Sequence, residues 1–177
     1  MLNRAVVAAA CVLLAAGCGQ ESSWLGSAPA ITAPSSVALK AVDVPFSATM
    51  TGGIRYIGPP PGCAGLATAA HATGTARHLG EVTFDAQQCM NPSTGAGQGS
   101  FVIAAANGDE LRGTMVLQSS APSGIGSQIH VTATYTFDGG TGRFEDATGT
   151  AAVTGVVTQA ASFPWPGEWE WTGTIRY

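Results

Sequence analysis

Three observations predict that this chain is all-β, an eight-stranded antiparallel up-and-down barrel. Between Val44 and Tyr177, apolar and polar residues alternate with a period of two in run after run, the spacing that sends successive side chains to opposite faces of a strand. Gly, Pro, Asn and Asp break the runs at short intervals, and no stretch offers an apolar stripe at helical spacing. The dipeptide Gly-Thr recurs inside the runs at Gly74-Thr75, Gly113-Thr114, Gly149-Thr150 and Gly173-Thr174, at unequal separations that exclude a solenoid repeat. Glycine in mid-strand serves where a sheet bends or another backbone comes close, so these four read as bending points. Closing the sheet removes the two edges that an open one would expose. A β-sandwich is the alternative architecture.

The chain begins with Asn3-Arg4 and an apolar run from Ala5 to Ala16. That run is about a dozen residues long, whereas a membrane span needs roughly 20, so it reads as an export signal. The segment Leu14-Ala15-Ala16-Gly17-Cys18 resembles the lipobox of bacterial lipoproteins, with Ala15 where Leu is commonest. In that family the Cys is diacylated and becomes the new N-terminus. The resemblance implies a signal over residues 1–17, lipidation at Cys18, and a protein exported and anchored to the cell membrane or outer membrane without spanning it. The alternative is an ordinary signal cleaved near Ala16, with Cys18 a spare thiol. Residues 18–42, rich in Ser, Ala and Pro and lacking either period, read as a tether, and residues 43–177 as the barrel domain.

Taken in order, the candidate strands are Val44 to Tyr56, Ala69 to Arg77, Gly80 to Gln88, Gly99 to Ala106, Glu110 to Ser119, Ser127 to Asp138, Ala147 to Thr158 and Glu168 to Tyr177. The sixth alternates most clearly, with Ile129, Val131, Ala133, Tyr135 and Phe137 on one face and His130, Thr132, Thr134 and Thr136 on the other. In the eighth, Trp169, Trp171, Ile175 and Tyr177 oppose Glu168, Glu170, Thr172, Thr174 and Arg176. Each strand thus has one dry and one wet face.

Asn107-Gly108 between the fourth and fifth strands invites a two-residue hairpin turn, which would set Ile103 opposite Arg112. A three-residue loop, Ala106-Asn107-Gly108, with Gly108 left-handed, sets Ile103 opposite Leu111 and Phe101 opposite Gly113 instead. Register follows the buried face, so the three-residue loop is predicted.

Apart from Cys11 in the signal and Cys18, the cysteines are Cys63 and Cys89. In an oxidising exported compartment they read as a disulfide, flanking the second and third strands, with Cys89 opposite about Thr68 and the loop from Pro59 to Gly65 supplying slack. A metal or redox pair would show C-x-x-C spacing or a nearby His, and neither is present.

Composition narrows the function classes. The net charge is -4, and the 7 Lys and Arg residues are scattered singly, which excludes a phosphate-binding face for nucleic acid. His71 and His78 differ by an odd number and would face opposite ways on one strand, and His130 falls on a wet face, so no metal is expected. Of the carboxylates only Glu168 and Glu170 share a strand face, the outer one, so a general acid/base pair in a pocket has little support. There is no G-x-S-x-G, phosphate-binding loop or dinucleotide fingerprint, and no cofactor is expected. Trp165, Trp169 and Trp171 with Phe163, Tyr135 and Tyr177 form an aromatic concentration towards the C-terminus. It reads either as a filled core or as a lumen for a small apolar ligand, with Tyr135, Trp169, Trp171 and Phe101 as the candidate lining.

The most distinctive stretch runs from Phe137 to Gly149. Gly139, Gly140 and Gly142 permit positive φ, so the chain can leave the sixth strand and turn over the barrel's end. One helical turn over Arg143 to Asp146 would put Phe144 and Ala147 inward as a lid, and Gly149 lets the next strand start close to its neighbour.

The segment Gly139-Gly140-Thr141-Gly142-Arg143-Phe144-Glu145-Asp146-Ala147-Thr148-Gly149 resembles the G-G-T-G-x-F-x-x-A-x-G segment of plant dirigent proteins and, more loosely, that of allene oxide cyclases. With Thr73 to Gly80, Ala105 to Asp109 and Gly173-Thr174-Ile175, it also resembles a set of secreted bacterial proteins. The resemblance implies an eight-stranded antiparallel barrel and, by analogy alone, a trimer. Allene oxide cyclases isomerise a fatty-acid epoxide in the lumen and dirigent proteins steer coupling of phenolic radicals, but no catalytic position of either matches here. Three readings follow: a non-enzymatic barrel that binds a small apolar ligand or an envelope partner, an isomerase or cyclase for a lipid-derived or phenolic substrate, and a structural module with a filled core. An open lumen would favour the first two and a filled one the third.

Overall fold

The computed structural model describes residues 42–177. The segments read as export signal and tether, with Cys18, lie outside the described residues up to residue 41. Eight strands close on themselves in sequence order: β1 (Val44–Tyr56), β2 (Leu66–Ala76), β3 (Gly80–Met90), β4 (Ala96–Ala105), β5 (Glu110–Ser119), β6 (Gln128–Gly140), β7 (Thr148–Thr158) and β8 (Trp165–Arg176). Every neighbouring pair is antiparallel, and β1 closes the ring against β8, with Met50 opposite Trp169. This is the predicted closed barrel and not a sandwich. The closed sheet, its core and its disulfide all lie in one compact unit, Leu39–Tyr177, so the barrel has what it needs to fold by itself.

Most strand limits fall where alternation places them, but β2, β4 and β8 each begin three residues early, at Leu66, Ala96 and Trp165. In those extensions an inward position carries polar Thr68, or glycine at Gly97 and Gly167. The apolar rhythm therefore lapses while the backbone ladder continues. The β4–β5 hairpin has the three-residue loop: Ile103 pairs with Leu111, Phe101 with Gly113, and Gly108 has φ of 89°.

The inner face is apolar and the outer face is built on hydroxyls. Thr174, Thr150, Thr136, Thr114 and Ser100 lie side by side on the outer wall from β8 to β4, each paired with the next. An apolar interior with a polar exterior is the reverse of a transmembrane barrel. Among the described residues, no helix is long and apolar enough to cross a membrane.

Cys63 and Cys89 form the predicted disulfide, with Cα atoms 5.6 Å apart. Cys89 pairs with Ala67, one residue from the position expected, because the β2–β3 turn starts a residue earlier than the sequence suggests. The bond ties the loop after β1 to the end of β3.

Candidate functional site

The two ends of the lumen are built differently, and the difference begins in side-chain volume. At the end where β1 starts and β8 finishes, the inward positions carry large groups. Phe46, Ile103, Leu111, Phe137 and Ile175 are each at most 1% exposed, and the Phe46 and Phe137 rings meet edge to face at 4.9 Å. Towards the middle, Trp171 packs on Tyr135 with centroids 4.1 Å apart, and Phe101 lies 4.9 Å from Tyr135. This half is filled.

The glycine-rich corner closes that end. After Gly140 the chain makes a single 3₁₀ turn, Gly142–Phe144, one residue earlier than the helical turn expected. Phe144 and Ala147 are fully buried beneath it, while Arg143, Glu145 and Asp146 face water, as predicted. The Tyr177 ring covers Phe144 at 4.9 Å. Tyr177 itself is not an inward residue, as its strand alternation suggested, because β8 ends at Arg176 and leaves it on the rim. Two neighbouring turns hold the corner. Thr141 donates its N–H to the Glu110 carbonyl at 2.8 Å and accepts the Glu110 N–H on Oγ1 at 2.9 Å. Arg143 donates to the His78 carbonyl and stands 3.6 Å from the Asp109 carboxylate.

The corner's glycines work by two mechanisms. Gly139 and Gly142 have φ of 120° and 58°, which only glycine adopts without strain. Gly140, expected to do the same, is not among the positive-φ positions; what it supplies is room, since a Cβ there would lie 1.9 Å from the Glu110 carbonyl oxygen. Gly149 does both, with φ of 144° and the Thr174 carbonyl oxygen 2.2 Å from where a Cβ would stand.

At the opposite end three small inward side chains, Ala70, Ala133 and Thr68, stand among larger aliphatic ones. A cavity of about 120 Å³ remains there, walled by Ile54, Leu66, Met90, Leu117, Ile129, Val131, Val153 and Val157. Tyr135 and Trp169 line it; Phe101 and Trp171 do not, being packed into the filled half. Four candidate residues were read as one lumen surface, and the structure divides them. Trp169 is seated between glycines: a Cβ at Gly155 or Gly167 would lie 2.3 Å or 2.7 Å from its indole.

Polar groups on the cavity wall are few and neutral: Tyr56, Thr68, Gln88, Ser119, Ser120 and Tyr135, with the indoles of Trp165 and Trp169 and no carboxylate, imidazole or amine. Burial holds the Tyr135 hydroxyl well above the usual phenol range, so it is protonated at neutral pH. Thr68 is 5% exposed, and its hydroxyl has no hydrogen-bond partner among the described residues. The Trp171 indole N–H is likewise unpaired, but within the filled half. The mouth is walled by Tyr56, Phe163 and Trp165. Phe163 stacks on Trp165 at 4.6 Å and meets Tyr56 at 4.8 Å.

Sequence reasoning missed Thr68 and Tyr56. The signal for Thr68 was a threonine at an inward register position between Leu66 and Ala70, legible only once β2 is known to start at Leu66. Two of the histidines make surface contacts. His71 pairs with Asp85 at 2.8 Å with both side chains about two-thirds exposed, and His78 donates from Nε2 to the Pro45 carbonyl. Among the described residues no three His, Cys, Asp or Glu side chains cluster as metal ligands would. No protein-family profile, curated protein or solved structure matches this chain.

Proposed function

We propose that this chain is an exported lipoprotein anchored through Cys18, whose barrel binds a small apolar ligand at its uncapped end without transforming it. The observation that carries the binding reading is the cavity of about 120 Å³ beside Tyr135 and Trp169, left open while the other half of the same lumen is packed solid. Eight-stranded barrels are just wide enough for side chains or one small ligand, and an apolar cavity of roughly 150 Å³ accepts benzene. The size suits a single ring or a short branched alkyl group. The neutral wall supports binding over acid–base catalysis, since a general acid or base needs a group that titrates near the working pH. A Thr68 hydroxyl without a partner favours a ligand carrying one hydroxyl or carbonyl, because satisfying a buried polar group is worth about 1 to 3 kcal/mol. The resemblance of the Gly139–Gly149 corner to dirigent and allene oxide cyclase segments belongs to the same proposal, and the trimer it implies awaits a solution mass.

Calorimetric titration with p-cresol and toluene tests the binding reading. Both should bind, p-cresol more tightly; Thr68→Val should remove the difference, and Ala133→Phe should abolish both by filling the cavity. If neither compound binds and native mass spectrometry of protein from its own membrane finds no companion, the barrel is a structural module. The anchor has its own test. Labelled palmitate should enter the protein and be lost in Cys18→Ala, and undiminished labelling of that variant would refute lipidation there.

A further inference from the structure

Charge is distributed along the barrel axis with a strong bias. The turns at the capped end and the strand residues beside them carry Arg77, Glu81, Asp109, Glu110, Arg112, Asp138, Arg143, Glu145 and Asp146, with Asp43 and Arg176 at the chain's entry and exit. The four loops at the uncapped end are residues 57–65, 91–95, 120–127 and 159–164, and they contain no Asp, Glu, Lys or Arg. Arg55, on the outer wall two residues before the first of them, is the nearest cation in the sequence, and Glu168, exposed on the outer wall four residues after the last, is the nearest anion; Asp85 and Glu170 lie further along the wall.

Exposed apolar groups stand at both ends, Val42 and Tyr177 at the capped one, but only the loops of the uncapped end carry them without charge. Ile125, at a loop tip, is 76% exposed, Tyr56 45% and Phe163 39%. Gly126 donates to the Gln159 carbonyl at 2.7 Å and Gln159 to the Ser127 carbonyl at 2.9 Å, which joins the loops bearing Ile125 and Phe163 into one ledge, and Tyr56 touches Phe163. The rest of the ledge is Ser, Gly, Ala, Pro and Gln159, with hydroxyls and amides suited to a headgroup layer. Trp, Tyr and Phe at the rim are the side chains that settle at a membrane–water interface, with an apolar body and, for Trp and Tyr, a polar tip.

From these juxtapositions we infer that the uncapped end docks on a lipid bilayer surface, inserting Ile125 and Phe163, so that the mouth opens against the acyl chains. A protein partner fits less well, because interfaces draw orientation and specificity from charged groups and these loops have none. Docking rests on the rim alone and stands whether or not the cavity holds a ligand. The chain enters β1 at the capped end, but 23 residues lie between Cys18 and Val42, a contour of up to about 80 Å, and that lets an anchored barrel present its far end to the bilayer.

The test is co-sedimentation of residues 18–177 carrying Cys18→Ser with phosphatidylcholine vesicles. Binding should persist at about 0.5 M salt and show no preference for phosphatidylglycerol, since no basic cluster drives it. The variant Ile125→Ser with Phe163→Ser should lower the bound fraction about tenfold while circular dichroism shows the barrel still folded. Brominated acyl chains should quench tryptophan emission, less so in Trp165→Phe. The inference is overturned by absence of binding at about millimolar lipid, by binding that salt abolishes, by a double variant that binds as before, or by a mouth-to-mouth dimer that the double variant dissociates while vesicles are ignored.

Discussion

The capped and uncapped ends of this barrel share one sheet and one alternation, yet one is a packed core and the other a cavity. The inward residues at the capped end are Phe46, Phe137, Phe144, Leu111 and Ile175, all buried, under a rim of charged turns. At the uncapped end Ala70, Ala133 and Thr68 leave space, the rim is neutral, and a disulfide stands where apolar packing is thin. The comparison teaches that closing a sheet creates the lumen but does not decide whether it is filled. Side-chain volume at about a dozen inward positions decides that, layer by layer.

The largest test of the comparison is at the cap. Phe144 is fully buried against Tyr177, so Phe144→Ala should destabilise by about 3 to 5 kcal/mol in chemical unfolding. A loss below about 1 kcal/mol would mean that the corner is dispensable and the two ends are energetically alike. Next comes the staple. Cys63→Ser with Cys89→Ser opens a loop of sequence separation 26 and should cost about 3 kcal/mol in the chain-entropy model. If the uncapped end is the weaker one, amide exchange should quicken there, around Leu66 and Met90, and remain slow at Ile103 and Leu111.

The smallest effect concerns Tyr135, at the junction of the two halves. Its folded pKa is raised above the free value of 10.0 by burial, so between the two values the folded protein holds a proton that the unfolded chain has lost. Stability contributed by the neutral phenol is therefore complete below about pH 10 and falls above it by about 1.4 kcal/mol per pH unit. Tyr135→Phe should flatten that alkaline slope. An ultraviolet titration in which every tyrosine ionises near pH 10 with the fold intact would show that the hydroxyl reaches water through the mouth.

Period-two alternation made the strands legible, since it reports which face is dry, and it placed Ile129 to Phe137 on the inner wall of β6 as found. The hairpin register at Ile103 and Leu111 was legible for the same reason: a one-residue slip would bury Arg112. The corner could be read because glycines at such spacing demand unusual backbone, although spacing does not distinguish Gly142, which needs positive φ, from Gly140, which needs room.

What the sequence by itself determined is the barrel, its strand order, its disulfide and the lid over one end, because each follows from local patterning or from pairs near in sequence. Only the tertiary structure decided that Phe101 and Trp171 fill the core while Tyr135 and Trp169 border a cavity, and that Thr68 is buried there unpaired. It also gathered Tyr56, Ile125 and Phe163, from three separate loops or strand ends, onto one rim. Those facts depend on how strands tilt and stagger around a closed ring, which sets the height of each inward residue along the axis. Alternation tells a residue's face and leaves its height to closure.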